Sequence, residues 1–74
     1  METATDRQIE ILGFIIRFKE EQSYSPTFRD IADGMKIGIR AAADHVSALE
    51  RKGYLSIERG KSRSIKVLRL PEAA

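Results

Sequence analysis

Cysteine and tryptophan are absent from this 74-residue chain, and it has one histidine and two prolines. Without cysteine there is no disulfide staple and no thiolate zinc site. A single histidine leaves little from which to build a transition-metal centre. The fold must close on an apolar core alone, which fits a cytosolic chain. Long hydrophobic runs are also missing. The densest cluster, Ile11 to Ile16, is interrupted by Gly13 and is far too short to span a bilayer. Residues 1–8 (METATDRQ) show no basic segment followed by an apolar run, so no signal peptide is expected. These absences point to a soluble, cytoplasmic protein with no membrane partner. A chain this short forms one domain, 1–74, and buries only roughly 60% of its unfolded surface. It has no room for a catalytic cleft beside a binding module.

Catalytic constellations are lacking too. Lys61 and Ser62 are neighbours on an expected flexible tip, which does not orient a Ser-Lys pair. Asp30 and Asp33 lie one helical turn apart without a second constellation, and no phosphate-loop pattern occurs. The chain is expected to be no enzyme and to bind no cofactor, metal or small-molecule ligand.

Charge is present, and it is unevenly placed. Residues 1–35 carry four Lys/Arg and seven Asp/Glu, whereas residues 36–70 carry nine and three, within a net charge of only +2. Such asymmetry suggests one face built for a polyanion, the alternative being an ordinary solvated surface.

Helical spacing runs from Thr5, a candidate cap with Gln8 at the reciprocal position, to about Gln22, with Ile11, Leu12, Ile15 and Phe18 on one stripe. Ser25-Pro26 breaks the pattern. Thr27 with Asp30 then opens a second helix whose Ile31, Ala32 and Met35 face inward, and Gly34 reads as a weak point near its end. Lys36-Ile37-Gly38 is the expected turn, with Gly38 supplying positive φ. A third helix from Ile39 or Arg40 to Lys52 stops at Gly53. Its Ala42, Val46 and Leu49 form one stripe, and Arg40, Asp44, Ser47 and Arg51 another on roughly the opposite face. Two alternating segments, Tyr54 to Glu58 and Ser64 to Leu68, flank a basic tip, and 71–74 reads as a frayed tail. The expected class is α+β: a winged helix-turn-helix, three helices followed by a two-stranded antiparallel hairpin wing.

This order places a narrow helix beside a positive hairpin, an arrangement suited to double-stranded DNA. Arg40, Ala41, Ala43 and Asp44 suit base reading near the third helix's start. Arg can bond guanine bidentately, Ala can touch a thymine methyl, and Asp can accept from a cytosine amine. Ser47 and Arg51 continue the exposed stripe, Ser47 towards bases and Arg51 towards the backbone. Arg59, Lys61 and Arg63, with Ser62 in the same tip, and Lys66 and Arg69 on the returning strand, suit phosphate contacts. Gly60 would let the backbone approach closely. Thr27 and Arg29 add candidates at the second helix's start, where free amides favour an anion. The plain alternatives are a solvated helix face and an edge strand kept soluble by lysine and arginine. His45 and both tyrosines, Tyr24 and Tyr54, read as packing residues at the core margin.

Three stretches carry a family resemblance. They are Thr5-x-Arg7-Gln8-x-Glu10, Ser25-Pro26-Thr27-x-x-Asp30-Ile31-Ala32, and Ala41-Ala42-x-x-His45-Val46-x-Ala48-Leu49-x-Arg51-Lys52-Gly53. With the wing stretch Gly60-Lys61-Ser62-Arg63-Ser64-Ile65, they resemble the DNA-binding domain of the LexA family of bacterial SOS repressors. The resemblance covers Thr5 to about Leu68. It implies a winged helix-turn-helix that reads operator DNA as a dimer, with base-reading positions on Gly38, Arg40, Ala41, Ala43 and Asp44. Gly38-Ile39-Arg40 stands where the family has Ser-Pro-Asn, in a turn one residue shorter, and Ala43 stands where it has glutamate. Both departures bear on the operator sequence. Nothing here resembles that family's cleavage site, Ser-Lys dyad or dimerising peptidase domain, so the expectation is an isolated domain or a short relative. It would form a weak homodimer on DNA, or dimerise through a missing domain or partner. The functional expectation is a sequence-specific, DNA-binding transcriptional regulator of the repressor type. The alternative is a winged-helix protein-interaction module, in which Ile37 and Ile39 become contact residues.

Overall fold

The computed structural model describes residues 3–58, 60 and 64–71. The element order is α1 (Asp6–Gln22), α2 (Phe28–Met35), α3 (Ile39–Arg51), β1 (Leu55–Ile57) and β2 (Ile65–Val67). Both expected capping boxes form. The Thr5 side chain accepts from Gln8 N at 3.2 Å while Thr5 N donates to Gln8 Oε1 at 3.0 Å. Thr27 and Asp30 repeat the exchange, at 3.0 Å in each direction. Each box satisfies two amides that the helix start leaves orphaned.

The turn between α2 and α3 differs from expectation. Lys36, not Gly38, adopts the left-handed conformation (φ 59, ψ 47), and Gly38 is extended at φ −72, ψ 158. The reason is positional. A left-handed residue is needed directly after the last helical residue of α2, where Ile37 N can donate to Ala32 O at 3.0 Å. That bond swings Ile37 against the core, and burial offsets the cost of about 1–2 kcal/mol for an L-residue in this region. Gly38 caps α3, a role that needs extended backbone. Gly53 behaves as expected: φ is 85, Gly53 N bonds Glu50 O and Tyr54 N bonds Leu49 O, both at 3.0 Å.

The three helices surround one core. Ile11, Leu12 and Ile15 of α1 meet Ile31 and Ala32 of α2 and Ala42, Val46 and Leu49 of α3, with Leu55 and Ile65 closing the end. Gly34, a weak point by helix propensity, is also a packing site: a Cβ there would overlap the Phe14 ring of α1. β1 and β2 pair antiparallel, Leu55 opposite Val67 and Ile57 opposite Ile65. Both strands are shorter at each end than their alternation suggested.

Tyr54 is also misread by its sequence context. It is fully buried, not marginal. Its hydroxyl accepts from Ala4 N at 3.1 Å, and its carbonyl accepts from Leu68 N at 2.8 Å and Arg69 N at 3.2 Å. The Arg69 guanidinium lies 3.9 Å over the ring centroid. Tyr54 thus joins the N-terminal segment, the end of α3 and the base of the hairpin. Lys52 Nζ completes the junction by donating to Gln8 Oε1 at 2.8 Å and Thr3 O at 3.3 Å.

Candidate nucleic-acid interface

Helix α3 presents two faces of opposite character. Ala42, Val46 and Leu49 have zero exposure, so the helix cannot rotate about its axis without emptying the core. That fixes the other face outward. Arg40, Asp44, Ser47 and Arg51 are all exposed, and Ala41, Ala43 and His45 are half-buried along the margins. The stripe is therefore a row of polar side chains one helical turn apart, flanked by two methyl groups. Its dimensions suit a major groove, which admits an α-helix. Among the described residues, Arg40, Asp44, Ser47 and Arg51 make no hydrogen bond or ion pair that would hold them back from a partner.

Gly38 is exposed at the N-cap of α3, and a Cβ built on it would meet nothing within 4 Å. Its ordinary φ removes the conformational reason for glycine at this position. Helix α3 has no side-chain cap bond, unlike α1 and α2.

Of the expected backbone contacts, Arg29 is exposed on the first turn of α2 and Arg51 on the last turn of α3. Thr27 Oγ1 is engaged as an acceptor by Asp30 N, which leaves its own hydroxyl proton as the group to offer an anion. Arg59, Lys61, Ser62 and Arg63 lie outside the described residues. Gly60, between them, has φ 83, a value that favours glycine in the connection between β1 and β2. Lys66 is exposed at the centre of β2. Arg69 departs from its expected role: it follows β2 and is half-buried on Tyr54, so it packs the hairpin base.

Sequence reasoning placed Ile39 only among the contact residues of the protein-interaction alternative. It opens α3 and is 45% exposed, the one large apolar side chain of that helix left in solvent. Ile37, two residues earlier, packs against the core. By helical phase Ile39 shares the side of Ala42, Val46 and Leu49 (i, i+3, i+7, i+10), so its exposure on the first turn was not readable from spacing. A shallow depression of about 440 Å³ between α1 and β2 is lined by Ile16, Lys19, Glu20, Val67 and Leu70 and contains none of the expected site residues. No helix of the described residues is long and apolar enough to cross a membrane.

Comparison with known proteins fits this geometry. The family model described as the LexA DNA binding domain matches residues 1–64. The chain belongs to the LexA DNA-binding domain family. It is 50% identical to the LexA repressor of Pseudothermotoga lettingae over 70 residues, covering 93% of this chain and 34% of that protein. The LexA repressor of Thermosipho africanus is 43% identical, with 97% and 36% covered. That of Anaeromyxobacter dehalogenans is 47% identical, with 88% and 29% covered. The chain thus spans about a third of the length of these curated relatives. The three helices and hairpin agree with the winged helix-turn-helix expected of a LexA DNA-binding domain.

Proposed function

We propose that this chain binds double-stranded DNA sequence-specifically and acts as a LexA-like transcriptional repressor, a binding protein and not a catalyst, in the cytoplasm. The observation that carries this reading is the polar stripe of α3, held outward by an opposite face of zero exposure. Helix α3 enters the major groove with Gly38, Arg40, Ala41, Ala43, Asp44 and Ser47 towards base edges. Base edges in that groove present a distinguishable donor, acceptor and methyl pattern, which these side-chain types can read. Thr27, Arg29 and Arg51 hold the backbone from the helices, and Arg59, Lys61, Ser62 and Arg63 hold it from the hairpin tip. Contacts of this second kind set affinity and register without carrying sequence information.

Two copies bind on an inverted repeat, each reading one half-site. Arg40 and Ala43, which depart from the family pattern, shift the operator preference. The test is selection of bound duplexes from a random library with the purified chain at low salt. Enrichment of a motif, an inverted repeat above all, supports the reading. Binding that is salt-sensitive but indifferent to sequence would overturn it, leaving a chain that needs a partner subunit or whose target is a protein.

A further inference from the structure

From the exposure of Ile39 beside an uncrowded cap, we infer that this side chain reads a thymine methyl group in the major groove. The inference rests on the DNA-binding reading above and adds an apolar reader to its polar set. Three observations lead to it. Ile39 is 45% exposed on the first turn of α3, immediately before Arg40. Its neighbours are small: Gly38 precedes it with open space where a Cβ would be, and Ala43 lies one turn along the same side. The first turn of α3 carries no acidic residue to repel a phosphate-lined groove. Ile39 and Arg40 are therefore the two long side chains that lead the helix into the groove.

The chemistry of the groove supplies a matching group. The C5 methyl of thymine is the apolar landmark among the base edges, and contact with an aliphatic side chain removes both from water. Ala41 and Ala43 are short and half-buried, so they reach a methyl only where the backbone comes very close. Ile39 extends two carbons further. It places an apolar contact next to the bidentate bond that Arg40 offers a guanine, so the two residues together specify adjacent base pairs.

The test uses the duplex enriched from the random library, with each thymidine replaced in turn by deoxyuridine. That exchange removes one methyl and keeps the base pair. The wild-type chain should lose about four-fold in affinity at one position of each half-site, the value of one buried methyl. Ile39→Ala should bind the parent duplex more weakly and show no further loss at that position. Its dependence on salt should equal that of the wild type, because no charge has been removed. Ile39 lies outside the core cluster, so the variant should keep the fold, which a cooperative thermal melt checks. Deoxyuridine effects that persist unchanged in Ile39→Ala, or a duplex indifferent to every replacement, would overturn this inference alone. Failure to enrich any duplex would overturn the DNA-binding reading, and this inference with it. In that case Ile39 would be a protein-contact residue.

Discussion

Arg40 and Lys61 are expected to do different work, although both are cations. Arg40 projects from the first turn of α3, where a guanidinium can bond guanine O6 and N7 together. Arg40→Ala should cost about 1–3 kcal/mol on the selected duplex and relax the preference at one base pair. Lys61→Ala should weaken binding evenly across sequences, as loss of a phosphate contact does. Equal losses by both variants on specific and random duplexes would refute the assignment. Gly38 permits a prediction about stability. The site is extended and exposed, with open space where a side chain would begin, and α3 has no side-chain cap. Gly38→Ser should therefore stabilise the chain by about 0.5–1 kcal/mol, through a new cap bond and a less flexible unfolded chain. Thermal melting would show a rise of several degrees, and a lower melting temperature would mean the serine cannot cap here.

The contact between α1 and α2 yields a prediction about two elements together. Alanine is a better helix former than glycine by about 1 kcal/mol, so propensity favours Gly34→Ala. Packing opposes it, because the new methyl would occupy the space of the Phe14 ring, which itself rests near Phe18 with centroids 6.0 Å apart. Overpacking of this kind costs about 1–3 kcal/mol, so the variant should be net destabilised. Combining it with Phe14→Leu should recover part of the loss, a coupling that denaturant titration of all four chains would measure. If Gly34→Ala alone is more stable than the wild type, Phe14 moves aside without cost. The same pair marks the limit of what the sequence made legible. Capping boxes, the α3 stripes and the Gly53 stop were readable because their partners lie three to seven residues apart on one element. The closeness of Gly34 to Phe14, the left-handed Lys36 and the burial of Tyr54 were not. Each depends on a partner from elsewhere in the fold: the facing helix for Gly34, the core pocket that receives Ile37, and Ala4, fifty residues from Tyr54. At the candidate site, polarity and helical phase sufficed to place Arg40, Asp44, Ser47 and Arg51 on the exposed face of α3. The exposure of Ile39 was not legible, because an apolar residue at core phase reads as core until exposure is known.

At the scale of the molecule, the question is how a domain this small gains useful affinity for an operator. On the proposed reading, one copy would offer about five charged backbone contacts, Arg29, Arg51, Arg59, Lys61 and Arg63. Releasing that many counterions gives a slope of log affinity against log salt of about −4 to −5. A single half-site complex is then weak at moderate salt. On the proposed reading, the route to affinity is a second copy on the facing half-site, roughly 35 Å away along the duplex. Two chains joined by a flexible linker long enough to span that distance should bind an inverted repeat about 100- to 10,000-fold more tightly than one chain, provided both engage at once. Their salt slope should approach twice that of the single chain. Changing the half-site spacing by half a helical turn should abolish the gain, because the second copy would face the opposite side of the duplex. Titrating the linked and single chains against both spacings at several salt concentrations would decide the matter. If the linked pair gains equally on a duplex with one half-site, avidity does not depend on the repeat, and this chain reads DNA as a monomer.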